Sequence, residues 1–212
     1  MYTNKTQTGF SLAEVLIILV IIGVIASITI PTLQQNINDA QLKTAWKKAY
    51  SDISQALNQM KHDQGGNFKE SLKPLSLKPA LMEYLKVTKN CDNCGCFGAY
   101  TKPAFNYKTL SNIPIPNTHL FDDGQFVLNN GMFISIENSA YYHIIWVDIN
   151  GYQKPPNTIG RDVFGIQVFE DTFKPLGAEG TSVSYYDSVM NTCNTTSDYR
   201  SGMGCSAQYL YE

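Results

Sequence analysis

The sequence predicts an α+β fold. One long N-terminal helix, membrane-spanning in its first half, packs on a C-terminal antiparallel sheet of about four strands. Three observations lead there. Residues 15–30 read VLIILVIIGVIASITI, without a charge. Apolar residues then recur at helical spacing as far as Met60. Beyond residue 124 the apolar period changes to two, with an Asn-Gly turn between the first two alternating runs.

The uncharged run sets the character of the chain. Extended back to Phe10 it covers twenty-one residues with a single carboxylate, Glu14. A bilayer core of about 30 Å needs roughly 20 helical residues, so the stretch can cross a membrane once. It is too long and too uniformly apolar for a core strand. A secretory signal peptide carries its small-residue cleavage site after the apolar region. Here the small residue, Gly9, stands before it, behind the polar leader MYTNKTQT. Lys5 favours keeping that end in the cytoplasm. A carboxylate inside such a span costs on the order of 2.5–3.5 kcal/mol, so Glu14 reads as functional by default. A cut after Gly9 would create an α-amino group on Phe10, four residues before Glu14. The two could meet within one chain or between neighbouring chains. The alternative is a glutamate snorkelling to the headgroups.

The stretch GFSLAEVLIILVIIGVIA strongly resembles the processing and methylation segment of type IV prepilins and type II secretion pseudopilins. The cleavage glycine Gly9, the following Phe10, the carboxylate Glu14 and the apolar tract all match, and Gly23 and Pro31 stand where many pilins loosen the helix. The resemblance covers about residues 1–35. It implies a pilin-like fold and a membrane-embedded prepilin peptidase that cuts between Gly9 and Phe10 and methylates the Phe10 nitrogen. It also implies that Glu14 pairs with the amine of a neighbouring subunit in a helical filament, the partners being copies of this chain or other pilins. Before assembly the chain would sit in the inner membrane with its C-terminal domain outside the cytoplasm, and later in a periplasmic or extracellular pilus or pseudopilus. The expected organisation is a leader over 1–9, a long helix over 10–63 with 10–30 in the membrane, and a globular domain over 64–212. A filament subunit is the first reading. A secretion pseudopilin and a minor, tip-located binding subunit are the alternatives.

Composition narrows the rest. The 212 residues carry 16 Lys+Arg against 18 Asp+Glu, a net charge of −2, with no basic block; no nucleic-acid partner is expected from charge. No Ser-His-Asp order, G-x-S-x-G, H-E-x-x-H or phosphate-binding glycine loop occurs, and His62, His119 and His143 are scattered, so no catalytic residue and no enzyme is expected. Roughly 150 residues after the helix suffice for one core.

Along the chain, Leu33, Ile37, Ala40, Ala45, Ala49, Ile53, Ala56, Leu57 and Met60 extend the helix past Pro31, and Gly65-Gly66 ends it near Asp63. The whole would be about 80 Å long. Residues 67–90 read as a second, shorter helix with Pro79 in its first turn, and 91–122 as mostly loop. Strands follow at 125–128 and 132–136 around Asn129-Asn130-Gly131, then at 140–149 and 163–169. One face of this sheet should pack on the long helix. Residues 170–212 read as irregular.

Five cysteines in an oxidising compartment point to disulfides. Cys193 and Cys205 form one expected bridge. A second is possible among Cys91, Cys94 and Cys96 of CDNCGC; a soft-metal site or pairing with another chain remain open there. Asp148, Asn150, Asn157 and Asp162, on a Gly/Pro-rich link between two strands, form a candidate structural calcium site, and some pseudopilins bind calcium in a loop by the sheet. The competing reading is a set of Asx-turns, with Lys154 or Arg161 balancing the acids. No other cofactor is expected.

Overall fold

The computed structural model describes residues 11–91, 96, 107–115, 121, 123–138, 142–181, 193 and 200–212. It divides into two compact units, Met1–Gln41 and Leu42–Glu212. The long helix α1, Leu12–Asp63, contributes to both. It runs without interruption past Pro31, and the divide falls within the helix rather than at its end.

In the first unit α1 presents large apolar side chains to its surroundings: Val15 is 45% exposed and Ile28 68%. In the second unit the same helix carries a buried stripe of Trp46, Ala49, Ile53, Ala56, Leu57 and Met60. The spacing of three and four residues places them on one face. The helix ends in a Schellman motif. Gly66 N–H donates to the Lys61 carbonyl at 2.8 Å and Gly65 N–H to that of His62 at 3.2 Å. Gly65 adopts φ 81°, which a residue without a Cβ takes at little cost.

The sheet is a six-stranded antiparallel meander in sequence order. Its strands are β1 Val87–Cys91, β2 Gly124–Leu128, β3 Phe133–Asn138, β4 His143–Asp148, β5 Val163–Val168 and β6 Phe173–Pro175. The Asn129-Asn130-Gly131 hairpin forms as expected: Leu128 N–H donates to Met132 O at 2.9 Å, and Gly131 N–H closes back on Leu128 O. The sheet has two strands more than the expected four, both at its edges. β1 occupies the tail of the expected second helix, which shrinks to α2, Leu77–Met82. Val87 and Lys89 pair with β2 instead of continuing a helical turn, and β-branched Thr88, at the irregularity between them, donates its hydroxyl to the carbonyls of Val127 and Leu128. β6 and a short helix α3, Cys205–Tyr211, lie in the stretch expected to be irregular. Pro175 can end β6 because an edge strand needs no outward donor.

Both faces of the sheet are covered, whereas one packed face was expected. Phe126, Ile134, Ile136, Ile145, Val147, Phe164 and Ile166 face the α1 stripe. Ile144, Trp146 and Val163 alternate to the other face, under Tyr107, Ile115, Phe121, Ile159, Leu176 and Met203 from the connecting segments. This second layer explains why β3 and β5 are buried along their whole length. Gly165 makes room for it: a Cβ there would lie 2.3 Å from Leu176 Cδ1.

The C-terminal segment locks α1 to the sheet. Trp46 stacks on Phe164 with centroids 4.6 Å apart, and its indole N–H donates to the Ser206 carbonyl at 2.9 Å. Ser206 Oγ accepts the Gly165 N–H at 2.9 Å. Lys43 pairs with Glu212 at 2.8 Å and lies 4.2 Å above the Tyr209 ring.

Candidate functional site

Three places concentrate the chemistry read from the sequence. The first is the start of α1. Gly9 and Phe10 lie outside the described residues; Ser11 and Glu14 do not. Ser11 precedes the first helical residue and Glu14 is the third. The Ser11 N–H and hydroxyl both donate to Glu14 Oε2 at 2.8 Å, and Glu14 N–H returns to Ser11 Oγ at 3.3 Å. This reciprocal arrangement is a capping box. Sequence reasoning paired Glu14 with the Phe10 amine, within the chain or on a neighbour, and overlooked Ser11, although S-x-x-E ahead of an apolar run is a recognisable signal. Leu12–Ile30 that follows is long and apolar enough to cross a membrane, and it buries none of its residues. Ser27 and Thr29 return their hydroxyls to the carbonyls of Val24 and Ile25, so even its polar side chains are satisfied within the helix.

The second place is the β4–β5 connection, where the structure gathers Asp148, Asn150, Asn157 and Asp162. Asp148 Oδ1 accepts the N–H groups of Asn150 at 3.2 Å and Gly151 at 2.9 Å, and Oδ2 accepts the Tyr107 hydroxyl. Asp162 accepts the N–H groups of Asn157 at 2.8 Å and Thr158 at 2.6 Å. The Asn150 and Asn157 amides donate to the carbonyls of Pro155 and Tyr152. Burial raises the pKa of Asp148 to about 7; the Tyr107 hydroxyl opposes the rise and the Asp162 charge adds to it. Burial raises Asp162 as well, against the N–H donors of Thr158 and Asn157.

Calcium takes six to eight oxygens, and here every carboxylate oxygen already accepts an N–H or O–H. The side-chain oxygens of Asn150 and Asn157 are both buried, but two amide oxygens are not a cage. Among the described residues no three His, Cys, Asp or Glu side chains are grouped to hold a metal. The hydrogen bonds to Asp148 and Asp162 are those of Asx-held turns. Backbone N–H groups and the Tyr107 hydroxyl donate to these acids, and the Asn150 side chain also reaches Asp162. The Tyr107 contact was not legible, because it joins residues 41 apart.

The third place is the cysteines. Disulfides join Cys193 to Cys205 and Cys91 to Cys96; Cys94 lies outside the described residues. The first bridge ties the C-terminal helix to the preceding segment, and the second closes the end of β1. His143 is half-buried, Nδ1 against Asn138 Oδ1, and burial holds it below the usual histidine value. His62 stands in the last turn of α1 with Nδ1 3.0 Å from Asp63 Oδ1, and His119 is outside the described residues.

Comparison with known families matches residues 4–30 to the prokaryotic N-terminal methylation motif. This is the signature of type IV pilins and pseudopilins. The pilin motif ends where the uncharged run ends, and Ser11, Glu14 and the whole exposed span fall inside it. No curated protein and no solved structure matches the chain. The motif implies processing by a prepilin peptidase and assembly with other pilins. With the apolar helix it implies membrane anchoring followed by assembly, and members of the family are structural proteins rather than enzymes.

Proposed function

We propose that this chain is a structural subunit of a type IV pilus-like filament. It is cut after Gly9, methylated on Phe10, and assembled through the first half of α1. The observation that carries this reading is Glu14: a single carboxylate at the head of a span that otherwise exposes only uncharged residues. In a helix that merely anchors, that charge would serve only the capping box with Ser11. A helix that must dock in register beside others gains a polar mark in an apolar bundle, and an unpaired carboxylate there is strongly disfavoured. The C-terminal unit supplies the folded body of the subunit, closed by the Cys193–Cys205 bridge.

The test is immunogold electron microscopy of the sheared surface fraction of native cells, measured against the membrane fraction. Label along thin filaments is the expected result. Label confined to filament ends identifies a minor subunit, and protein that is cut but never sheared identifies a secretion pseudopilin. Glu14→Val should leave cleavage intact and lower the filament yield more than about tenfold. Full yield from that variant overturns the role given to Glu14.

A further inference from the structure

We propose that copies of this chain meet edge to edge, the Leu75 turn of one seating in a hollow beside β6 of the next. The inference rests on the filament reading and deepens it. The connection from α1 to β1 crosses one end of the sheet. Phe68 N–H donates to the Glu170 carbonyl beyond β5 at 2.8 Å, Asn138 Nδ2 at the end of β3 donates to the Lys73 carbonyl at 2.8 Å, and Lys78 Nζ donates to the Cys91 carbonyl at the end of β1 at 3.3 Å. Leu75 therefore lies on the β1 half of that end. Its backbone is unusual. Ser76 N–H donates to Lys73 O at 3.0 Å, which closes a turn with Pro74 and Leu75 at its corners. Leu75 has φ 62°, the sign that the third residue of a type II turn requires and that glycine or asparagine takes most readily. A leucine there carries backbone strain. Burial within the folded unit does not offset it, since Leu75 is 64% exposed. Strain kept at an apolar tip points to a contact outside the chain.

The opposite edge offers the complement. Phe169, Glu170, Asp171, Thr172, Lys174 and Gly180 line a hollow of about 350 Å³, where a leucine side chain can lie against Phe169. Its walls are held by backbone acceptors. Phe169 N–H donates to Thr172 O at 2.7 Å, and Lys61 and Lys174 donate to the carbonyls of Asp171 and Glu179. Among the described residues neither the Glu170 nor the Asp171 carboxylate is ion-paired. Charge divides the same way. Residues 73–91, leading into and through β1, hold four lysines and one glutamate, and residues 169–180, around β6, hold three carboxylates and one lysine. β1 and β6 are the two edges of one meander, so the tip and the hollow are different patches on opposite edges. Contact between different patches is heterologous and, where the rotation closes no ring, it repeats into a filament. Opposite charge on the two edges selects this partner and this register.

The test leaves Leu75 in place. Ser76→Cys and Thr172→Cys, singly and together in the full chain, would be treated in native cells with a short thiol cross-linker. The expected result is a ladder of dimers and higher multimers in the double variant alone, with the peptides carrying residues 76 and 172 joined in mass spectra. Dimers without higher multimers overturn the repeating contact, and residue 76 joined to a different protein overturns the choice of partner. If wild-type cells shed filaments and the two peptides are never joined, the proposal falls and the filament reading stands. A ladder without sheared wild-type filaments keeps the edge contact and removes the filament reading; neither ladder nor filaments removes both. Leu75→Asn is the second measurement, because asparagine tolerates the same φ and lacks the apolar tip. Its denaturation midpoint in detergent should equal or exceed that of wild type, while the share of cleaved chain in sheared filaments falls about tenfold. A wild-type share overturns the role of Leu75, and so does a marked fall in the midpoint, which would assign that leucine to the fold.

Discussion

Helix α1 is two helices by sequence and one by backbone. Residues 12–30 are apolar all round and bury nothing within the chain; Trp46 to Met60 are apolar on one face and bury all of it. The backbone hydrogen bonds are the same in both. What differs is whether the apolar residues have a period. A period of 3.6 commits a helix to a partner on one side, here the sheet. Its absence leaves the helix without a preferred side, which suits lipid or a ring of similar helices. The chain's own fold therefore explains only the second half.

Substitutions can break that contrast or sharpen it. The largest effect is expected at Trp46, where alanine removes the stack on Phe164 and the bond to Ser206. It should lower unfolding free energy by about 3–5 kcal/mol, read by chemical denaturation of the full chain in detergent. Replacing Cys193 with serine opens a bridge between residues 12 apart in sequence and should cost about 2–3 kcal/mol; the drop should vanish when wild type and variant are compared under reducing conditions.

A smaller effect belongs to Asp148. Its folded pKa stands at about 7, above the ordinary 3.8, so the folded state holds the proton more tightly than the unfolded state. That contribution is fully present below about pH 4 and is lost as pH rises through about 7. Between pH 5 and pH 8 it should weaken the fold by about 2 kcal/mol. His143, held below its usual value by burial, works in the opposite direction below pH 6.5, so the informative quantity is the difference from Asp148→Asn, which should show a flatter pH profile than wild type. The smallest effect is expected from Ile22→Ala in the exposed span. The unfolding midpoint of the folded unit should stay within about 0.5 kcal/mol of wild type. A larger drop would show that the first half of α1 is packed after all.

The legible parts of the molecule were those whose signal is local. The span, the continuation of α1 past Pro31, the glycine stop after Asp63 and the Asn129–Gly131 hairpin each follow from a few adjacent residues. β1 was misread because Leu81, Leu85 and Val87 prolong a helical stripe, and only pairing with β2 decides otherwise. β6 has three residues and Pro175, too short for a period. The second covered face was foreshadowed by HIIWVD in β4, which is apolar on both sides. Its lid comes from Tyr107, Ile115 and Met203, far apart in sequence and placed by tertiary contacts. At the candidate sites, cysteine spacing showed that bridges were possible but not which sulfur of CDNCGC pairs with which. The acidic loop was legible as a cluster of oxygens, and it took the positions of the N–H groups to show how those oxygens are used.

The bond from Trp46 to Ser206 spans 160 residues, and that from Lys43 to Glu212 spans 169. The sheet between them is assembled from nearest neighbours in order. The meander can therefore form strand by strand, while α1 waits for the segment that carries Ser206, Tyr209 and Glu212. Until that segment docks, the indole lacks its acceptor and Phe164 lacks its covering tyrosine. Loss of residues 205–212 would thus leave the folded unit open on the side of α1.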